Sequence, residues 1–170
     1  MKVAIINRAV VGSGKSTMAK AIADVVGACV IHSTDDYFME GGEYKFNPSK
    51  LGEYHTLNFE AFKRDCQDDI DCVICDNTNI ITDHCKAYVE VAKENGYKVI
   101  QLFFEPDSLE NHLTRNAHNV PKEGIERMIF GLKGNRGHIG EDFAWVIKPN
   151  EFKEELVRIP QEINNVISKN

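Results

Sequence analysis

Ala9-Val10-Val11-Gly12-Ser13-Gly14-Lys15-Ser16-Thr17, entered from the apolar run Val3-Ala4-Ile5-Ile6 and left through a helix-patterned segment opening at Met18-Ala19, is the stretch that decides the fold. A strand, a glycine-rich turn carrying Gly-Lys-Ser-Thr and a helix, in that order, make a phosphate-binding loop. Successive backbone N–H groups must point at phosphate oxygens, a lysine must supply charge, and a hydroxyl must ligate Mg²⁺. Gly12, Ser13, Gly14, Lys15, Ser16 and Thr17 are therefore the expected nucleotide-binding residues, with Lys15 reaching the β- and γ-phosphates, Ser16 on the metal, and the positive helix end adding to anion binding. Ala9 stands where the pattern has glycine. A Cβ at that position is expected to cost about 1 kcal/mol if the backbone there must take a positive φ.

The rest of the chain limits what such a loop can serve. With 170 residues and 42% hydrophobic content it can bury roughly two-thirds of its unfolded surface, so one domain over residues 1–170 is expected. There is no charged-then-apolar leader, no apolar run of bilayer-crossing length and no low-complexity segment, so a cytoplasmic protein that does not enter a membrane is expected. Five cysteines without framework spacing fit a reducing compartment. Cys72-Val73-Ile74-Cys75 reads as a buried strand whose two sulfurs face opposite sides, not as a metal or redox pair. The net charge of −6 is concentrated between Asp35 and Asp76, where eleven acidic residues face four basic ones. Such a surface does not wrap long nucleic acid, although it leaves the gripping of one strand end open.

Strand and helix patterns alternate, which predicts an α/β fold of the P-loop NTPase kind, with a four- to five-stranded parallel sheet, helices on both faces and a helical lid. Strands are expected at Lys2–Ile6, Cys29–His32, Cys72–Asp76 and Tyr97–Glu105, and helices at about Ser16–Val26, Lys50–Ile70 and Asp83–Asn95. In the second helix Leu51, Tyr54, Leu57, Phe62, Cys66 and Ile70 lie near helical spacing; Gly27 and Gly96 fit helix C-caps and Thr82 an N-cap. The lid, about 108–136, contains a helix from Ser108 to Asn116 and another from Pro121 to Leu132, and Gly131, Gly134, Gly137 and Gly140 then mark a loop. In the tail, about 145–170, Pro149 and Pro160 act as punctuation before a short terminal helix.

In doubly wound sheets ligands bind at the carboxyl ends of the strands, so residues just after each strand come first. Asp35 and Asp36 follow the second strand. Phosphoryl transfer to a hydroxyl wants a carboxylate to orient the oxygen and accept its proton, and Mg²⁺ wants a further oxygen, so Asp35 is the candidate base and metal neighbour of Ser16 and Asp36 a substrate contact; either carboxylate could instead cap a helix. After the third strand come Asp76-Asn77-Thr78-Asn79, where Asp76 with Asn77 and Thr78 either holds the metal's water shell, contacts the acceptor, or caps the next helix. In the lid, Arg115 ends a helix and is the first candidate for neutralising developing charge, ahead of Arg127 and Arg136. The histidines read as surface or packing residues. Tyr44, Phe46, Tyr54 and Phe59 either stack an acceptor base or form ordinary core.

With these pieces assembled, residues Lys2 to Leu132 resemble the P-loop kinases of the phage polynucleotide 5′-hydroxyl kinase type and, more closely, their animal relatives, the NEDD-binding-protein-like ATP-binding domains; toxin-like P-loop kinases are more distant. The resemblance rests on Arg8 to Thr17, Ser33-Thr34-Asp35-Asp36-Tyr37-Phe38, Glu43-Tyr44-Lys45-Phe46-Asn47-Pro48, Asp76-Asn77-Thr78-Asn79, Phe104-Glu105-Pro106-Asp107 and Arg115-Asn116-Ala117-His118-Asn119-Val120. It implies transfer of the γ-phosphoryl group of ATP, with Mg²⁺, to a hydroxyl at a single-stranded nucleic-acid 5′ end. Asp35 is then the general base, Asp76 a contact to the acceptor and Arg115 a contact to nucleotide phosphates. Ala9, Val11 and Thr114 depart from the pattern, and Phe38 stands where phage-type enzymes carry an acceptor-phosphate arginine, a loss that the animal relatives share. A small-metabolite kinase and a non-catalytic ATP-binding module are the alternatives.

Overall fold

The computed structural model describes residues 1–169. Five runs of apolar, largely β-branched or aromatic residues become parallel strands: β1 (Val3–Arg8), β2 (Cys29–His32), β5 (Cys72–Cys75), β6 (Lys98–Phe104) and β7 (Phe143–Ile147). Their order is β2-β5-β1-β6-β7, with Val3 in register with both Cys72 and Lys98. The first strand is thus central, and the loop that leaves it emerges at the middle of the sheet's carboxyl edge. A two-residue hairpin, β3 (Met39–Glu40) and β4 (Glu43–Tyr44), turns at Gly41-Gly42 beside that edge.

Both faces of the sheet are covered, which is why its strands read as continuous apolar runs rather than alternating ones. On one face Val3, Ile5, Cys72, Ile74, Ile100 and Leu102 pack under Met18, Ala19 and Ile22 of α1 (Lys15–Val26) and Ile159 and Ile163 of α6 (Phe152–Ser168). On the other, Ala4, Ile6, Val73, Cys75 and Val99 meet Phe62 and Cys66 of α2 (Leu51–Gln67) and Tyr88, Val89 and Ala92 of α3 (Lys86–Glu94). Cys72 and Cys75 therefore point into different layers, as strand geometry requires, and burial pushes the Cys75 thiol up to about 12. The lid consists of α4 (Leu109–Thr114) and α5 (Lys122–Lys133), seated on Val10 and Phe103 through Ile125 and Leu132. Among the described residues no helix is long and apolar enough to cross a membrane.

Several expectations are corrected. Phe143–Ile147, which straddles the expected start of the tail at about 145, is a strand: it pairs with β6 and completes the sheet, leaving Phe143 and Val146 exposed on the outer edge. The tail ends in a helix of 17 residues rather than a short one, and it runs through Pro160 because the proline ring is itself buried beside Ile159 and Ile163. Asn170 lies outside the described residues. On α2 the buried face is Asn58, Phe62 and Cys66, while Leu51 and Leu57 are exposed at the rim. Thr82 does not cap α3; it sits inside a preceding 3₁₀ turn, Thr82–Cys85. Gly131 belongs to α5 and not to the loop after it; a Cβ there would come within 2.8 Å of Ile80, so glycine lets the helix pack close to that side chain.

Candidate active site

The loop after β1 is held open by its own backbone. Gly12 and Gly14 have φ of 75° and 88°, the left-handed region that side chains avoid. Ala9 does not: it is absent from the positive-φ residues, is fully buried, and donates its N–H to Thr78 O at 2.9 Å. The strain expected of an alanine there is not present. Ser13 Oγ donates to Val10 O at 2.7 Å, tightening the turn, and Gly14 at the N-cap of α1 offers no side-chain oxygen, so the first-turn amides of the helix stay available to an anion. A Cβ on Gly14 would approach the Phe152 ring to 2.6 Å. Gly14→Ala is accordingly expected to lower stability by about 2 kcal/mol, or roughly 4–8 °C in Tm, and to weaken ATP binding, which thermal melts with and without nucleotide will read.

Beneath the loop, Asp76 collects the polar groups. It is 2% exposed; its Oδ2 accepts from Ser16 Oγ at 2.7 Å and its Oδ1 from Asn7 Nδ2 at 2.9 Å, with Lys15 Nζ at 3.9 Å from Oδ1. Asp76 thus caps no helix. It lines a cavity of about 290 Å³ with Ser16, Lys20, Asp35 and Asp36, and not the cavity lined by Asn77 and Thr78 that is described below. Asn77 and Thr78 line a separate cavity with Asp35, Tyr44 and His118. Asp36 is held above the usual carboxylate range by partial burial and then by the charges of Asp76 and Asp35. The hydroxyls and carboxylates around the cavity that Asp76 lines are hard oxygen donors, and Lys20, Met39 and His118 also line it. Among the described residues no group of three or more His, Cys, Asp or Glu is arranged to cage a metal; the carboxylate and hydroxyl oxygens here are donors of the kind that fit a hard cation such as Mg²⁺.

Asp35 lies on the 3₁₀ turn Thr34–Phe38, whose N-cap Ser33 makes no side-chain cap bond. Its Oδ1 accepts from Tyr44 OH at 3.2 Å, and its Oδ2 is 3.4 Å from His118 Nδ1. Burial and the neighbouring carboxylate push the Tyr44 phenol well up, keeping it a donor. Arg8 has no place in the site. Fully buried, it donates to Asn79 O, Ile80 O and Gln101 Oε1 at 3.0 to 3.1 Å and so pins the turn after β5 that presents Asn77 and Thr78.

The lid reaches the loop through His112 and Arg115. His112 is fully buried; its Nδ1 faces Val11 O and its Nε2 faces Asp107 N–H, both at 2.9 Å. A carbonyl only accepts and an amide only donates, so Nδ1 carries the proton and Nε2 accepts. Burial lowers the His112 pKa, consistent with a neutral ring. Arg115, the residue after α4, is 3.2 Å from Asp107 Oδ2 and 3.5 Å from Gly12 O. A Cβ on Gly12 would meet the Arg115 Cβ at 3.0 Å, so this glycine lets the lid close onto the loop. Arg136 instead pairs with Glu105 and lies over the Phe103 ring, and Arg127 is exposed on α5.

Three further cavities meet at this centre. One of about 360 Å³ runs from Gly14 and Arg115 to Phe152 and Lys153; a second of about 370 Å³ lies over Gly12, Lys15 and Ser16. The third, about 310 Å³, is lined by Thr34, Asp35, Tyr44, Phe46, His55, Asn77, Thr78 and His118 among others, and by no lysine or arginine. Of the four aromatic residues singled out by sequence, Tyr44 and Phe46 line this third cavity, Tyr54 packs on Phe38, and Phe59 packs on Tyr88. Two site residues were not legible. His118 sits in a loop without periodicity, and Phe152 lies in the tail, where only the apolar run Phe143–Ile147 hinted that the chain returns to the sheet.

The central parallel strand, the phosphate loop and the covering lid define the fold of the P-loop kinases. Solved structures bear this out: a putative kinase from Chloroflexus aurantiacus superposes with a TM-score of 0.68 at 15% identity, over 96% of this chain and 97% of that one. A gluconokinase from Sinorhizobium meliloti superposes at 0.65 with 16% identity, over 99% and 94%. In sequence the chain is similar to human NEDD4-binding protein 2, 39% identical in an alignment of 132 positions that covers 75% of this chain. The matched part spans 7% of that relative's length. No family model matches the chain.

Proposed function

We propose that this chain is an ATP-dependent kinase that passes the γ-phosphoryl group to a hydroxyl, with a nucleic-acid 5′ end as the acceptor. The observation that carries the reading is the position of Asp35, which lines the phosphate cavity, the metal-side cavity and the acceptor cavity at once. A hydroxyl lying in the acceptor cavity can give its proton to the Asp35 carboxylate as its oxygen bonds the γ-phosphorus; the bond from that phosphorus to the β–γ bridging oxygen breaks, and ADP leaves with the oxygen. Lys15 and Arg115 meet the charge that develops on the phosphoryl oxygens. Ser16, with Asp35 and Asp76 beside it, would hold Mg²⁺, which neutralises the β- and γ-phosphates. Tyr44 and Phe46 supply a wall on which a base can stack.

The absence of lysine and arginine from the acceptor cavity favours a second reading, a small neutral hydroxyl compound. Labelled ATP, offered with 5′-hydroxyl oligonucleotides, nucleosides and sugars, separates the two. The expected product is a 5′-labelled oligonucleotide whose affinity falls as salt rises, because counterions are released on binding. Label on a sugar or nucleoside, with little salt dependence, selects the small acceptor. ATP bound without transfer to anything marks a non-catalytic module.

A further inference from the structure

Asp35 sits on a short turn, its side chain 39% exposed, a loose mounting for a group that must aim at one proton. Its carboxylate has two side-chain neighbours among the described residues, one on each oxygen: Tyr44 OH on Oδ1 at 3.2 Å and His118 Nδ1 near Oδ2 at 3.4 Å. These two come from separate parts of the chain, Tyr44 from β4 of the hairpin and His118 from the linker between α4 and α5 in the lid. Their rings stack on each other, with centroids 3.9 Å apart and planes 9° from parallel. The stack therefore closes a bridge between hairpin and lid directly above the carboxylate. On the phosphate side His118 also borders Lys15 and Arg115, and on the metal side Lys20, Asp36 and Asp76.

We infer that Tyr44 and His118 are positioning residues that clasp Asp35 from both sides, so that the base is aligned only while the lid lies against the hairpin. The inference rests on the kinase reading. Each oxygen keeps further lone-pair capacity for the acceptor hydroxyl, since each neighbour occupies one direction. Lid opening withdraws His118 and frees the carboxylate to rotate, which links proton removal to closure and disfavours transfer from an open site. A misaligned reacting group can cost about 10²-fold in rate without any change in nucleotide contacts.

Tyr44→Phe keeps the ring stack and loses the hydroxyl; His118→Ala removes the imidazole. Each is expected to lower kcat about 10- to 100-fold while KM for ATP stays within about twofold. The pair together should lose less than the product of the two, because both act on one carboxylate. In an Asp35→Asn background neither change should lower the residual rate further, a result that a merely structural role does not give. Wild-type kcat in both variants, a defect confined to KM for ATP, or full further loss in the Asp35→Asn background overturns the inference. Amide exchange provides an arm independent of catalysis: His118→Ala should speed exchange in residues 39–44 and Tyr44→Ala in residues 116–120, and unchanged exchange in both also overturns it. Should the wild-type chain transfer no phosphate, the kinase reading fails while the exchange arm still decides whether the clasp exists.

Discussion

Lys15→Met is expected to lower kcat/KM for phosphoryl transfer by about 10³-fold or more, since it removes the ammonium group that the loop itself supplies to meet phosphate charge. The side chain is 11% exposed and stands 3.9 Å from Asp76 Oδ1, so its charge acts with little screening by solvent. The loop should survive the change. Ser13 to Val10, Ala9 to Thr78 and Ser16 to Asp76 are hydrogen bonds that do not involve the ammonium group, and Asp76 keeps Ser16 and Asn7 as donors. Steady-state rates together with direct nucleotide titration test this. A near-normal rate would remove the loop from the chemistry, whatever anion it binds. Lys15→Arg should rescue little, because a planar fork does not substitute for a compact point charge in a pocket this close.

Asp35→Asn should lower kcat by about 10²- to 10⁴-fold, the range associated with loss of a general base, and leave nucleotide affinity nearly intact. The amide is close in shape, its oxygen can still accept from Tyr44, and the turn that carries it is made by backbone bonds such as Asp36 N–H to Ser33 O at 3.2 Å. What it cannot do is take a proton. Rapid-quench transfer assays at saturating ATP separate this from a binding defect. A rate within a few-fold of wild type would shift the proton to another acceptor, and Asp36, held above the usual carboxylate range on the metal side, would be the group to examine.

Much of the site was legible because its chemistry is carried by residues close in sequence. Gly12 to Thr17 form one continuous stretch of loop and first helical turn, and Asp35-Asp36 and Asp76-Asn77-Thr78 each follow a strand whose apolar run is unmistakable. What escaped reading depends on contacts between distant segments. β7 is an edge strand, so its outer residues are exposed, and its role is fixed by its pairing with β6. Phe152 and His118 face the loop because the tail returns alongside α1 and the lid folds over the hairpin, and no period in their own neighbourhoods announces either.

By itself the amino-acid sequence determined the strand–loop–helix, the parallel α/β arrangement and the two acidic turns, since each follows from local backbone preference and the burial of short apolar runs. Tertiary structure alone decided that Ala9 is unstrained, that Asp76 bonds Ser16 and Asn7, and that Asp35 lies between Tyr44 and His118. The reason is directional: a residue's type limits what it can bond, but which neighbour it meets is set by how strands and helices far apart in the chain are brought together, and that follows from packing of the whole core.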